Sequence, residues 1–383
     1  MDRSQLLEVR SLLAGNVLVS FVGADLVVTG DDASNQVDVV VDGGNIVVRG
    51  RENTTVNGGS TAFVAATGST ILSDDFFVRL GSGDDVLFVE GVSISGRASV
   101  AGQAGNDSVG FLNTTIAGHV GIVTSTGSDV VNLDSVVARQ GVTVQTGRND
   151  DTVRIVDSTI TGNVVLATGR HADTVVLDTT SVSGSVRVAT AGGADNVVMT
   201  DSTIGGRFVA ATGRGNDFVM LDNLAVTGRS VLRTQGQHDL AIVENASRFG
   251  SLKIVGGAGR DGVQIASDTV VGGRRKVRGQ ESNAVSDADR ERELNDSVSG
   301  ALTLATAAAD FFAALETSTT LTVSASAAAS NASIQSDGTV IATDSSLHCR
   351  WRLCREPPSP STPTGTGQLM KARPRQMPPD RRQ

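Results

Sequence analysis

The sequence predicts an all-β chain: a parallel β-helix (β-solenoid) of about nine 22-residue coils, with an N-terminal β cap and a largely disordered C-terminal tail. Three observations carry that reading. Asp85, Asp107, Asp129, Asp151, Asp173, Asp195, Asp217, Asp239 and Asp261 succeed one another at an unbroken spacing of 22. The residues two and four after each of them are apolar in every copy, from Leu87 and Val89 to Val263 and Ile265. Gly accounts for 44 of 383 residues, aromatic content is 3% and Tyr is missing, a mixture that suits many short strands joined by tight turns.

Residues 1–15 form an N-terminal segment in which Asp2 and Glu8 interrupt the basic and then apolar pattern of a standard signal peptide. Residues 16–75 read as a β lead-in or cap. Its alternating strands are Val17–Val22, Leu26–Thr29, Val37–Val41 and Ile46–Val48, with turn chemistry at Gly23-Ala24-Asp25 and Asp42-Gly43-Gly44-Asn45.

Residues 76–273 are the repeat. Counting from each Asp as zero, positions two and four share one face of a strand. Position nine is usually Ile or Val, and position eleven is Gly in eight of nine coils, with Gln140 the exception. Positions thirteen and fifteen are mostly apolar, as in Val142 and Val144. Position seventeen is Thr in six consecutive coils, Thr124 to Thr234. One coil therefore holds two clear strands and a short third. A lone coil cannot bury its apolar face, but stacked coils can. Nine coils at a strand spacing of about 4.8 Å give a rod of roughly 40 Å.

After Gly273 the pattern predicts an end to the stack, because Arg274, Lys276 and Arg278 fall where buried apolar residues should stand. Residues 274–298 read as a charged linker. Residues 299–347 are rich in Ala, Ser and Thr, with a helical periodicity over 299–317 that includes Phe311-Phe312. Residues 348–383 hold all seven prolines, the single Trp351 and both cysteines, Cys349 and Cys354, and read as a disordered Pro/Arg-rich tail. A change of reading frame near His348 would produce such a break, which resequencing of the gene would reveal.

The net charge of −9 is unevenly spread. From Leu347 onward there are eight basic and two acidic residues, leaving 24 basic and 39 acidic before it, a net of −15. An acidic body argues against nucleic acid as a partner and is compatible with cations. No apolar run reaches the ~18 residues of a membrane span.

The nine aspartates are the main candidate site. Stacked at about 4.8 Å, neighbouring carboxylates would repel by roughly 3 kcal/mol at an effective dielectric of 20. Their parity with the apolar positions predicts inward side chains unless the turn breaks the alternation, and a buried row needs compensation. One solution is a hydrogen-bond role, each Asp accepting from backbone N–H groups of a turn. The other is Ca²⁺. The turns Gly81-Ser82-Gly83-Asp84-Asp85, Gly213-Arg214-Gly215-Asn216-Asp217 and Gly257-Ala258-Gly259-Arg260-Asp261 resemble the nonapeptide repeats of RTX proteins, in which turn carbonyls and an Asp hold Ca²⁺ between coils. The RTX coil has 18 residues against 22 here, and Asn149, His171 and Gln237 replace the second Gly elsewhere.

Other rows point to structure. Glu90, Asp134, Asp157, Asp178, Asp201, Asp222 and Glu244 drift between positions five and six, as solvated turn residues do. The Thr row shares the parity of the apolar positions, which predicts an inward hydroxyl ladder and not an outward ice-binding face. Parallel β-helices of the pectin-degrading kind act in a long-looped groove, whereas these coils have almost constant length. His119, His171 and His238 stand at three different coil positions, which suits structural roles. The reading is therefore not an enzyme, with no catalytic residue assigned.

Leu7-Glu8-Val9-Arg10-Ser11-Leu12-Leu13-Ala14-Gly15 resembles the L-E-x-R-x-L-L-A-G segment near the start of exported proteins of planctomycete bacteria, and the strands of Asn16–Gly50 are similar to those found after that segment in such proteins. The resemblance covers about 50 residues and implies export and a repeat-bearing β architecture, with no activity attached. Together these readings predict a non-catalytic extracellular or cell-surface scaffold in adhesion, envelope or matrix, stabilised by Ca²⁺ if the Asp row binds it. Its expected partners are polysaccharide or other surface proteins. The alternative is a carbohydrate-active β-helix enzyme or polysaccharide-binding module.

Overall fold

The computed structural model describes residues 15–59 and 62–278. These residues are all β and turn, and contain no helix. Most coils contribute three strands, while in the coils of Asp217 and Asp239 the second and third run together as Ala225–Gly236 and Arg248–Ala258. In the coil that begins at Asp151 they are Thr152–Val156, Thr159–Ile160 and Val164–Arg170. Each pairs in parallel with its counterpart 22 residues away: Val131, Val153 and Val175 are directly stacked, as are Val142, Val164 and Val186. The first strands build one sheet, and the short and long strands build the rest of the wall. The short third strand expected from the sequence recurs as a two-residue element, as in Ser93–Ile94, Thr115–Ile116 and Ser181–Val182.

Side chains alternate across the wall, so one coil sends a fixed set inward. For the Asp151 coil these are Asp151, Val153, Ile155, Ser158, Ile160, Val164, Leu166 and Thr168, all buried. The stack joins these sets into one continuous apolar core from Val17 to Val263. At roughly 1.5–3 kcal/mol for each buried aliphatic side chain, the five apolar members of each coil are the main favourable term.

The corners explain the turn residues. Position six turns left-handed in the first eight of the nine coils: Gly91, Asn113, Ser135, Asp157, Thr179, Asp201, Asn223 and Asn245 have φ between 46° and 68°. Asn, Asp and Gly tolerate that conformation best. The position two before each Asp is also left-handed. Glycines there reach φ 113–152°, while Asn149, His171 and Gln237 sit at 71–81°, nearer the region a side chain can occupy. Glycine at position eleven has a different cause, which is close approach. A Cβ on Gly162 would lie 1.0 Å from the Gln140 carbonyl oxygen, and one on Gly184 2.4 Å from that of Gly162.

Two features depart from the sequence reading. Within the lead-in lies a further coil. Asp25–Thr29 pairs in parallel with Phe76–Ser82, and Gln36–Asp42 with Val86–Glu90. Val37 and Val39 stack on Leu87 and Val89, so Asn35 holds the aspartate position 50 residues ahead of Asp85. The extra residues form antiparallel strands, Asn45–Gly50 and Ala62–Ala66, that extend the first sheet. Asn16–Val22 folds back antiparallel on Asp25–Thr29.

At the other end the stack continues beyond Gly273. Arg275–Arg278 pairs in parallel with the preceding coil, but one residue out of the 22-residue phase: Lys253 faces Lys276 and Ile254 faces Val277. The slip turns Val277 toward the core and Lys276 to the outer face, so the charges do not end the pairing as the spacing suggested. The preceding coil also carries a local shift, with Val226 opposite Phe249 but Arg229 opposite Ser251. That shift places buried Phe249 where exact phase would put Arg248. Residues 1–14, with most of the export-like motif, and 279–383, with the linker, the Ala/Ser/Thr-rich segment and the tail, lie outside the described residues. No helix among the described residues is long and apolar enough to cross a membrane.

Candidate functional site

All nine aspartates of the row are buried, none more than 4% exposed, so parity placed them on the correct side of the wall. The backbone N–H of one Asp donates to Oδ1 of the Asp in the next coil. Asp107 donates to Asp129 (2.8 Å), Asp129 to Asp151 (2.9 Å), Asp151 to Asp173 (3.0 Å), Asp173 to Asp195 (2.9 Å), Asp195 to Asp217 (3.1 Å) and Asp217 to Asp239 (3.0 Å). Asp85 donates to Asp107 at 3.2 Å, and Asn35 N–H starts the relay by donating to Asp85 Oδ1 at 2.7 Å. The donor is thus an adjacent coil and not the turn that carries the carboxylate.

The threonine row meets the second oxygen. Thr168, Thr190 and Thr212 Oγ1 lie 2.5–2.6 Å from Oδ2 of Asp173, Asp195 and Asp217. All six threonines of the row are buried, in accord with an inward ladder. Thr190 Oγ1 also lies 3.1 Å from the Thr212 carbonyl oxygen. One hydroxyl proton cannot fully serve both a carbonyl and a carboxylate. A protonated Asp195 resolves the conflict, with Oδ2–H donating to Thr190 Oγ1 and the threonine donating to the carbonyl.

Burial pushes the carboxyls up in the same sense. Asp173 and Asp195 rise to about 6 and Asp151 and Asp217 to about 7, with the threonine and backbone donors opposing the shift. Asp107, which has Gly102 where a threonine would stand, rises to about 8. Asp85 rises to about 7, relieved in part by Asn35.

A second buried polar row runs along position seven, shifting to position eight at Ser247, and escaped the sequence reading. Ser158, Thr180, Ser202 and Ser247 accept from the backbone N–H of Val136, Ser158, Thr180 and Leu224, at 3.0–3.4 Å. They donate to carbonyls two or three residues back at 2.7–2.8 Å. The row is hard to see because Val92, Val136 and Leu224 occupy the same position in other coils.

No family model, curated protein or solved structure matches this chain. What the row can do must be read from its own atoms. Oδ1 is aimed at an N–H along most of the row, and Oδ2 meets a hydroxyl at Asp173, Asp195 and Asp217, whereas Oδ2 of Asp85, Asp107, Asp129, Asp151 and Asp239 is buried without a hydrogen-bond partner among the described residues. At Asp173, Asp195 and Asp217 both oxygens are engaged by protein donors, which leaves little for Ca²⁺, an ion that takes six to eight oxygen ligands.

Among the described residues, the carboxylates close enough together to share an ion are Asp25, Asp74 and Asp75, at the cap. They already have uses: Asp25 Oδ1 accepts the Asp75 N–H, and Asp75 takes the N–H and guanidinium of Arg97. The outer acidic row lies at the left-handed corner. Asp157 there is raised by burial and by its neighbours Asp134 and Asp178. The histidines stay apart. His119 meets Thr143 Oγ1 at 3.0 Å, while His171 and His238 Nδ1 accept the N–H of Asn149 and Arg260.

Proposed function

We propose that this chain is a non-catalytic scaffold of the cell exterior or envelope, acting in adhesion, matrix or envelope structure. Its buried aspartate row serves as a hydrogen-bonded spine rather than a calcium site. The observation that carries the reading is the spine itself, a relay of backbone-to-carboxyl hydrogen bonds from Asn35 to Asp239 at a constant 22-residue register from Asp85 onward. Constant coil length keeps the wall smooth, which suits a surface for contact more than a cleft for chemistry. The export-like N-terminal motif supports placement outside the cytoplasm.

Three measurements test it. Thermal unfolding in Ca²⁺ and in chelator should give coincident midpoints; a rise of several degrees with Ca²⁺ would assign the row to the ion instead. Incubation with a panel of polysaccharides should release no new chain ends, and turnover would point to the carbohydrate-active alternative. Fractionation of the source cells, with an antibody to the solenoid, should find the chain in the envelope or medium.

A further inference from the structure

We infer that the C-terminal end of the long-strand face is a binding site for an acidic polysaccharide. The chain as a whole is acidic, but its charge is segregated. Parallel pairing brings Arg229, Arg233, Lys253, Lys276 and Arg278 onto one outer face, with Arg274 at its edge. Lys253 stacks on Lys276, while Arg233, Val255 and Arg278 form the adjoining row. Arg207 extends the patch by one coil, beside the strand Phe208–Ala211.

The strands that make this face, Phe208–Ala211, Ala225–Gly236, Arg248–Ala258 and Arg275–Arg278, contain no Asp or Glu. None of these cations forms an ion pair among the described residues. They crowd one another: the charges of Arg278, Arg274 and Lys253, Arg278 foremost, lower the pKa of the Lys276 ammonium. A surface concavity lies among them, lined by Arg229, Ser251, Leu252, Lys253, Arg274 and Lys276.

Like charges held together on a rigid wall are unfavourable alone and become favourable when an anion bridges them. The coil repeat sets the anion spacing at about 4.8 Å, over roughly 15 Å from Arg207 to Lys276. The half-exposed residues between the cations are Val209, Val255 and Ser251. Small side chains between cations suit a chain of sugar rings, with C–H faces and a carboxylate or sulfate at intervals. They do not suit single-stranded nucleic acid, which uses aromatic platforms for stacking. The aromatic residues of these strands, Phe208 and Phe249, point inward and are buried.

This inference deepens the scaffold reading by giving its surface a ligand class, and it rests on that reading only in treating the wall as a binding surface. The test uses the full chain and polygalacturonate as probe, with neutral dextran as control. Binding should be measurable at low salt and fall steeply as salt rises. The variant Arg229→Ser/Lys253→Ser/Lys276→Ser should bind at least tenfold more weakly. Arg139→Ser/Arg148→Ser/Arg170→Ser removes the same charge elsewhere and should bind like wild type. Far-UV circular dichroism on both variants verifies the fold. No binding by wild type, an equal loss in both variants, or tighter binding of a single-stranded oligonucleotide of matched charge would each overturn the inference. Those results leave the scaffold reading intact, whereas release of new chain ends from the probe would overturn that reading without touching the site.

Discussion

Asp195→Asn exchanges a carboxyl for an amide of nearly the same shape in the middle of the spine. Its effect should change sign between acid and alkaline solution. Burial raises the Asp195 pKa from its ordinary 3.8 to about 6, against the opposing bonds from Thr190 and the Asp173 N–H. An acid raised in this way keeps its proton in the folded chain while the unfolded chain has lost it. The stability it contributes is complete below pH 3.8, declines as pH rises, and is gone above about 6. Two units at 1.36 kcal/mol each make that change roughly 3 kcal/mol.

The introduced amide would accept the Asp173 N–H with its oxygen and donate to Thr190, leaving one amide hydrogen without a partner at about 1 kcal/mol. Relative to wild type, the variant should be about 1 kcal/mol less stable at pH 4 and about 2 kcal/mol more stable at pH 8. Comparing the two proteins at each pH cancels the titration of every other carboxylate. Because a repeat array need not unfold in one step, hydrogen exchange at the Val175 and Val197 amides is the better readout, with denaturant midpoints as a check. An equal difference at both pH values would refute the titration. A variant weaker at pH 8 than at pH 4 would show that the ionised carboxylate is what the site requires.

Gly162→Ala should destabilise by at least about 3 kcal/mol or prevent folding, because its Cβ would overlap the Gln140 carbonyl. Gly121→Ala, whose Cβ meets nothing closer than His119 at 3.9 Å, should stay within about 0.5 kcal/mol of wild type, and urea midpoints compare the two. Ser202→Ala leaves the buried Thr180 N–H without its 3.0 Å acceptor and should cost about 1–3 kcal/mol, read as faster exchange of that amide. Thr203→Ala, at the exposed neighbouring position, serves as the control and should be nearly neutral.

The repeat was legible because a buried position must meet the same demand in every coil. Val131, Val153 and Val175 share one environment, and so do Asp129, Asp151 and Asp173, so their spacing declares itself in the sequence. What stayed hidden is what breaks that rule. The lead-in coil is masked by the antiparallel insertion that stretches its spacing from 22 to 50, and by Asn35 in place of Asp. The final strand is masked by a one-residue slip, which moves Lys276 outward. The basic face is masked because outward positions carry no common packing demand. Arg229, Lys253 and Arg233 stand twelve, fourteen and sixteen residues after their respective aspartates, and only stacking brings them together.

The spine explains why the relay begins with an amide. From Asp85 to Asp239, each carboxyl receives a backbone donor from the coil before it, so the row supplies its own N–H donors once it is under way. Among the described residues the first coil has no such predecessor. An aspartate at position 35 would be buried without that backbone donor. Asn35 carries no charge to bury and brings its own donor: its amide donates to the Ala33 carbonyl at 2.7 Å and to the Leu80 carbonyl at 3.3 Å, while its backbone N–H serves Asp85. The departure from the repeat at residue 35 is therefore what lets the repeat begin.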